Sequence, residues 1–438
     1  MSRNLRSSLA YQTSRRKLVG GAASAAAAAS MLRFGPAVMA QTPESAGEDQ
    51  LEIFSWWTTA GEAAGLDELF KAFSVENPDV EIVNAAVAGG AGTNAQVALQ
   101  ARLSANQPPD SWQSHPGAEL KARYVDPGFC DPITDLYEEQ GWNDTIPQGV
   151  IDQITFDDDK YLIPVGVHRG NVMFYNKQVL ADNGIEEPTD DWTIDDYFTI
   201  AGTLGDAGIA AYALGSKDTF AVVQLFENIL LGALGPDDYV SIWKGDIGWD
   251  DERVTTAIET LAKFFDNVNS DHAALTWDGA ADQIYEGTAV FQSMGDWFYG
   301  DAIAKEKQDV IGWVNHPSTG GSFVAVIDGF TLPKGAPHPV NARNWLITCG
   351  SAEAQAAFAP FKGAIPARSD ADSSTFNEYM QWSAGAFGED AVVPSLAHGS
   401  AASPQFQTSV NEAIITFIVD LDVATFQDAL VFAAEDEA

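Results

Sequence analysis

Between Leu51 and His115 the apolar residues change period repeatedly, and this alternation constrains the fold more than any other feature. "LEIFS" alternates apolar residues with Glu52 and Ser55, which predicts a strand. Leu66, Leu69, Phe70 and Phe73 then recur at helical spacing and stop at "ENPD". "VEIVNAAV" predicts a second strand, followed by the turn "GGAGTN", a helix carrying Leu99 and Leu103, and a short third strand in "DSWQSH". Such a β-α-β-α-β order implies a parallel sheet wrapped by helices. Ligands of open α/β sheets collect beyond the carboxyl ends of the strands. Those ends carry Trp56 and Trp57, the Gly89–Asn94 turn, and Gln113 with His115. Neighbouring side chains of a strand point to opposite faces, so the paired indoles cannot share one core. One is expected to be buried and the other left at a rim.

The pattern continues with different partners. "DKYLIPVGVHRGNVMFYN" reads as an apolar strand pair interrupted by His168, Arg169 and Asn171. Helical stripes run through Ile194, Tyr197, Phe198 and Ala201, and through Val254, Ile258, Leu261 and Phe265. "AVFQSMGDW", "GWVNHP" and "SFVAVIDGFTLP" predict further strands, after which the chain is mostly helical. A chain of 438 residues exceeds one ordinary core and suits two domains. No Gly/Ser linker divides it, which implies two lobes joined by strands that cross between them more than once.

Charge narrows the classes of partner. Sixty-two Asp and Glu face 23 Lys and Arg, a formal net charge of −39. Six of the basic residues precede residue 41, where there is no acid, leaving 17 against 62 in the remainder. Such a surface repels phosphate backbones and anionic membranes, so no nucleic acid is expected as a partner. The acids are spread along the chain, which predicts a surface adapted to screening salt, where the Debye length falls to ~3 Å at molar concentration. A halophilic source is the expectation.

Residues 1–40 read as an export signal, with Arg15 and Arg16 before a mildly apolar Gly/Ala/Leu stretch and "AVMA" at the end. "SRRKLV" is similar to the twin-arginine core pattern, with Leu18 where Phe is usual; a Sec signal with two arginines is the alternative. Residues 41–50 read as a flexible leader. The expected location is therefore outside the cytoplasm, periplasmic or at the cell surface. Cys130 and Cys349 could pair in an exported chain. Ala342, Trp345, Leu346 and Cys349, however, share one helical face, which favours a free buried thiol.

No motif points to catalysis or to a metal. The six histidines show no pair at ligand spacing, "TFDDDK" lacks the spacing of a calcium loop, and "GGAGTN" is neither a dinucleotide fingerprint nor a P-loop. No cofactor is expected. What remains is a set of flat rings (Trp56, Trp57, Trp277, Trp297) and polar groups (Glu62, Gln113, His115, His168, Asp296, Lys362, His398) at strand ends. A pyranose suits this mixture: its C–H faces lie on an indole, and its hydroxyls require directed, charge-assisted hydrogen bonds.

The motifs "LEIFSWWTTAGE", "NAAVAGGAGTNAQ", "DSWQSHPGAEL", "EEQGW", "IPVGVHRGNVMFYN", "ALTWDGAADQ", "SMGDW", "FTLPKGA", "FKGAIPARSD" and "PSLAHGS" together carry a family likeness over nearly all of residues 51–438. The chain resembles the extracellular solute-binding proteins of ABC sugar importers, most of all the glucose/galactose-binding branch. The resemblance implies a two-lobed periplasmic-binding-protein fold of α/β class, with a hinge and an interlobe ligand cleft. It implies lobe 1 from residues 51–167 plus about 300–345, and lobe 2 from 168–299 plus about 346–438. It implies a monomer that captures a monosaccharide, glucose before galactose or mannose, and delivers it to permease subunits without turnover. The ligand-binding set so implied is Trp56, Trp57, Glu62, Asn94, Gln113, His115, His168, Trp277, Asp296, Lys362 and His398. Asn94 stands in a turn whose polar residue varies in the family, and Arg169 either joins the set or braces the hinge. An oligosaccharide or another solute is the alternative ligand. A glycosidase using Glu62 and Asp296 across a scissile bond is the alternative class.

Overall fold

The structure, a computed structural model, describes residues 49–89 and 92–436. The expected export signal and leader residues 41–48 lie outside the described residues. Gln50, the last residue of the expected leader, already belongs to the first strand, Gln50–Phe54.

Two sheets organise the chain. The first runs in the order 365–366, 162–169, 322–333, 111–114, 50–54, 81–84, and strands 130–131 and 391–394 also pair with 322–333. Its N-terminal part is the expected parallel unit: Gln50–Phe54 pairs in parallel with Glu81–Asn84 and with Ser111–Ser114. Helix Ala60–Glu76 covers it by burying Leu66, Leu69 and Phe73, and stops at Asn77, because the residue before a proline resists the helical region. The second sheet runs 311–315, 172–176, 289–294, 210–212. Each sheet has its own apolar core.

Two strands of the first sheet tie the halves together. Leu162–Arg169 is buried along its whole length and passes through Gly170 and Asn171 into Val172–Asn176 of the second sheet. Ile311–Asn315 of the second sheet leads into Ser322–Pro333 of the first, again buried throughout. Both strands are covered on two faces, which is why they read as nearly continuous apolar runs. Arg169 braces this crossover. Its guanidinium lies 4.2 Å from the Trp382 ring and bonds the Asp390 carboxylate and the Ser322 carbonyl.

Several segments depart from the expected lobe bounds, among them strands 365–366 and 391–394, which were expected in lobe 2 but pair in the first sheet. Strand 311–315, expected in lobe 1, pairs with 172–176 in the second sheet. Helices Pro339–Cys349 and Ala352–Lys362 both pack on the first sheet, through Trp345, Leu346, Cys349 and Phe358, although the second was expected in lobe 2. The apolar face of a helix tells which residues are buried, not which sheet they cover. Cys130 and Cys349 are both free and buried.

Candidate functional site

A cavity of about 320 Å³ opens where the strand ends of the first sheet face helices of the second half. Of the eleven residues expected to bind ligand, Trp56, Glu62, His115, Trp277, Lys362 and His398 line it. The other five do not, and each has a physical reason.

The two tryptophans divide as strand alternation requires. Trp56 turns to the cavity, with its ring 5.1 Å from that of His115. It lies so close to Gly92 that a Cβ there would sit 2.9 Å from the indole, and Gly92 has φ +98, so both space and backbone call for glycine. Trp57 turns the other way and is 1 % exposed, packed on Phe330 and Phe358 in the first core. Trp57 is thus a core residue and not a sugar platform.

Asn94 is exposed and its amide donates to the Ala88 carbonyl, closing its own turn. Gln113 is buried behind the surface. It accepts from the Trp56 backbone N–H and donates to Asp328 Oδ1 at 2.8 Å. It therefore positions groups that face the cavity. His168 is also buried, with Nε2 3.0 Å from Asp328 Oδ2. Asp296 is 0 % exposed. Its oxygens accept from the Arg169 backbone N–H at 2.9 Å and, in a short contact, from the Tyr379 hydroxyl. It faces the crossover, not the cavity, so a catalytic pair of Glu62 and Asp296 across a glycosidic bond is not available in this geometry.

The centre of the polar floor is a residue absent from the expected set, Asp328. It lines the cavity near the middle of Ser322–Pro333. Around it stand His168 at 3.0 Å, the Gln113 amide at 2.8 Å and His115 Nε2 at 3.6 Å. Burial opposes its charge, but His168, Lys362 and His115 outweigh that cost and hold its carboxyl well below the usual range. His115 is held from behind by Glu119, at 3.4 Å. Burial lowers its pKa, yet Glu119 and then Asp328 raise it further, so the net shift favours the cation. The one signal that could have found Asp328 was its being the only charge in "SFVAVIDGFTLP".

Lys362 and Glu62 form the second polar element, joined at 2.8 Å with only 3 % of the lysine side chain exposed. Backbone proximity makes the pair possible. Gly61 and Gly300 let helices Ala60–Glu76 and Trp297–Ala304 meet so closely that a Cβ on Gly61 would lie 2.8 Å from the Gly300 carbonyl carbon. The lysine ammonium also lies 5.5 Å from the Trp297 ring. Trp297, Trp277 and Phe220 supply the apolar wall from the second half, and two acids that the expected set omitted, Asp218 and Asp278, line the cavity beside them. His398 closes the wall, its ring edge-on to Trp297 and to His115. Burial, and next the nearby His115, push its pKa well below the ordinary histidine value, so it is neutral. Among the described residues no group of three or more His, Cys, Asp or Glu is arranged to hold a metal ion.

Known proteins resemble this chain in sequence and fold. Residues 56–356 match the profile of the bacterial extracellular solute-binding protein family. An uncharacterized ABC transporter extracellular-binding protein of Pyrococcus horikoshii is 35% identical over 391 residues, 88% of each chain. The xylose/arabinose-binding protein XacG of Haloferax volcanii is 27% identical, over 90% of this chain and 86% of its own. Among solved structures, the bacterial solute receptor AcbH, with its exclusive preference for β-D-galactopyranose, superposes with a TM-score of 0.78 at 20% identity. That match covers 89% of this chain and 98% of AcbH. A chitin oligosaccharide binding protein gives 0.76 at 19% identity, covering 88% and 98%. The fold is thus the two-lobed α/β architecture of solute-binding proteins, with its two sheets joined by the crossing strands.

Proposed function

Because this chain belongs to the bacterial extracellular solute-binding protein family, we propose that it is the sugar-capturing component of an ABC importer and that its ligand is one monosaccharide, glucose before galactose or mannose. The observation that carries this reading is the cavity itself. It combines indole faces from Trp56, Trp277 and Trp297 with a buried, hydrogen-bonding floor at Asp328, His115 and the Lys362–Glu62 pair. At about 320 Å³ it is near the lower end of the roughly 300–1,000 Å³ usual for small-molecule sites, which supports one ring over several.

On this reading lobe 1 is built from 50–169 and 322–367, and lobe 2 from 172–315 and 404–435. Lobe 1 supplies the charged floor and lobe 2 the aromatic wall. Neither half satisfies a hexose alone, so ligand favours the closed state and shifts the population toward it. The closed monomer is what the permease subunits would receive. Export through a twin-arginine signal and a high-salt medium fit the sequence of residues 1–40 and the acid excess of 62 over 23.

Titration calorimetry in molar salt tests the ligand. Glucose, galactose, mannose, xylose, maltose and chitobiose are each added to the purified chain. One-to-one binding of a hexose, with no product formed, is expected. Binding of a disaccharide with no hexose response would overturn the monosaccharide assignment, and silence from every sugar would overturn the sugar reading.

A further inference from the structure

Behind His398 stands a carboxylate that the ligand site does not explain. Glu227 lies in helix Thr219–Leu234, which is buried on nearly every side, and is itself 0 % exposed. Its oxygens both lie 3.1 Å from Ser395 Oγ, and Oε2 accepts from the Ala397 N–H at 3.0 Å. Ser395 Oγ is in turn 2.9 Å from His398 Nδ1 and accepts from the His398 backbone N–H at 3.2 Å. The three side chains form one chain of contacts from a dry acid to the cleft.

Hydrogen-bond inventory leaves this chain only two arrangements. A serine hydroxyl donates once and accepts twice. When Glu227 is ionised it can only accept, so Ser395 gives it the one proton. Ser395 then accepts from the His398 backbone N–H and from Nδ1–H, and Nε2 carries the lone pair. When Glu227 is protonated its hydroxyl donates to Ser395, the serine proton turns to Nδ1, and the neutral ring must carry its proton on Nε2. Since Nδ1 is engaged behind, Nε2 is the nitrogen a ligand in the cleft can reach.

We propose that Glu227, acting through Ser395, is the positioning residue that sets whether His398 accepts or donates a hydrogen bond toward the bound sugar. The exchange conserves protons: one enters at Nε2 from the cleft, the Nδ1 proton passes to Ser395 Oγ, and the serine proton passes to Glu227. The ligand half of this proposal rests on the sugar reading above; the tautomer half does not.

The surroundings put the switch in an accessible range. Burial raises the Glu227 pKa, against the Ala397, Ser395 and Leu396 hydrogen bonds, to about 7. The titratable group facing it from the neighbouring helix, Tyr239, is pushed well above its ordinary value by burial and by Glu227, so it stays neutral. His398 faces His115, Asp328, His168 and Lys362, and its own pKa is held well below 6.5, so its tautomer and not its charge changes.

Nitrogen-15 spectra of the imidazoles in the ligand-free full chain read the tautomer directly. At about pH 8.5 His398 should carry its proton on Nδ1, and at about pH 5.5 on Nε2, the two lying on either side of the Glu227 titration. Glu227→Gln should hold Nε2–H at both, because the amide oxygen takes the Ala397 N–H and the amide nitrogen donates to Ser395. An Nε2–H tautomer in the wild type at the higher pH, or no change between the two, overturns the proposal without need of the variant. With D-glucose as probe, Glu227→Gln at the higher pH should shift affinity by about tenfold, the worth of one hydrogen bond. If the tautomer responds and glucose never binds, the relay stands and the sugar reading fails. If glucose binds equally to both proteins while the tautomer stays fixed, the relay fails and the sugar reading stands.

Discussion

On the cleft side of the first sheet, Asp328 meets His168, His115 and the Gln113 amide, with the Lys362 ammonium nearby. Behind it, at the crossover, Asp296 meets one backbone N–H and one phenol. The two acids are almost equally removed from water, at 3 % and 0 % exposed. Burial pushes both toward the neutral form. The His168 hydrogen bond, with Lys362 and His115 nearby, reverses this at Asp328, whereas at Asp296 burial prevails over the Tyr379 and Arg169 bonds and raises the pKa to about 7. A buried carboxylate keeps its charge only where its neighbours repay the lost hydration. Charge for a ligand therefore resides on the cleft side, and the region behind it is built for holding the hinge.

The largest test of this division uses the tryptophan pair. Trp57→Ala empties the first core and should cost about 3–5 kcal/mol of unfolding free energy, read by denaturant titration in molar salt. Trp56→Ala should cost under about 1 kcal/mol, since that ring sits at the rim. Equal losses would erase the distinction between rim and core.

Next comes a pH slope. The folded pKa of Asp296 is raised from 3.8 to about 7, so the folded chain keeps a proton that the unfolded chain has already released. The contribution to stability is therefore greatest at acid pH and is lost as pH rises from about 4 to about 7, by on the order of 4 kcal/mol. Asp296→Asn should remove this part of the slope, measured as the difference from wild type across the window. An unchanged slope would mean that Asp296 is ionised and the crossover is not dry.

Smaller still is the effect on affinity. Asp328→Asn should weaken sugar binding by about 2–3 kcal/mol, the worth of charge-assisted hydrogen bonds to hydroxyls. Asp296→Asn should change it by less than about 0.5 kcal/mol. Calorimetric titration of the two variants at one pH separates them, and the reverse order would move the polar floor to the crossover.

Much of this arrangement is legible in residues alone, for identifiable reasons. The β-α-β-α-β unit shows because strand and helix periods differ, and "ENPD" stops the first helix through backbone sterics. Alternation at Trp56 and Trp57 says that one indole faces a rim, and it also says which: Trp57 shares the parity of buried Leu51 and Ile53, whereas Trp56 shares that of half-buried Glu52. Asp328 was hidden because its partners come from Gln113, His115, His168 and Lys362, gathered by strand pairing across more than 200 residues in the case of Gln113. Asp296 stands in the conspicuous "GDW", where a turn acid invites a ligand role, yet Arg169 and Tyr379 reach it first. The placement of helix Ala352–Lys362 was illegible for a similar reason: Phe358 marks a buried face without naming the sheet beneath it.

The most direct test of the cleft is a crystal structure of the wild-type chain with the sugar that calorimetry selects. One ring should lie against Trp277 or Trp297, with a hydroxyl at about 2.5–3.0 Å from an Asp328 oxygen and none within reach of Asp296. A sugar seated in this cleft without touching Asp328, or one bound through Asp296, would contradict the division between cleft floor and crossover.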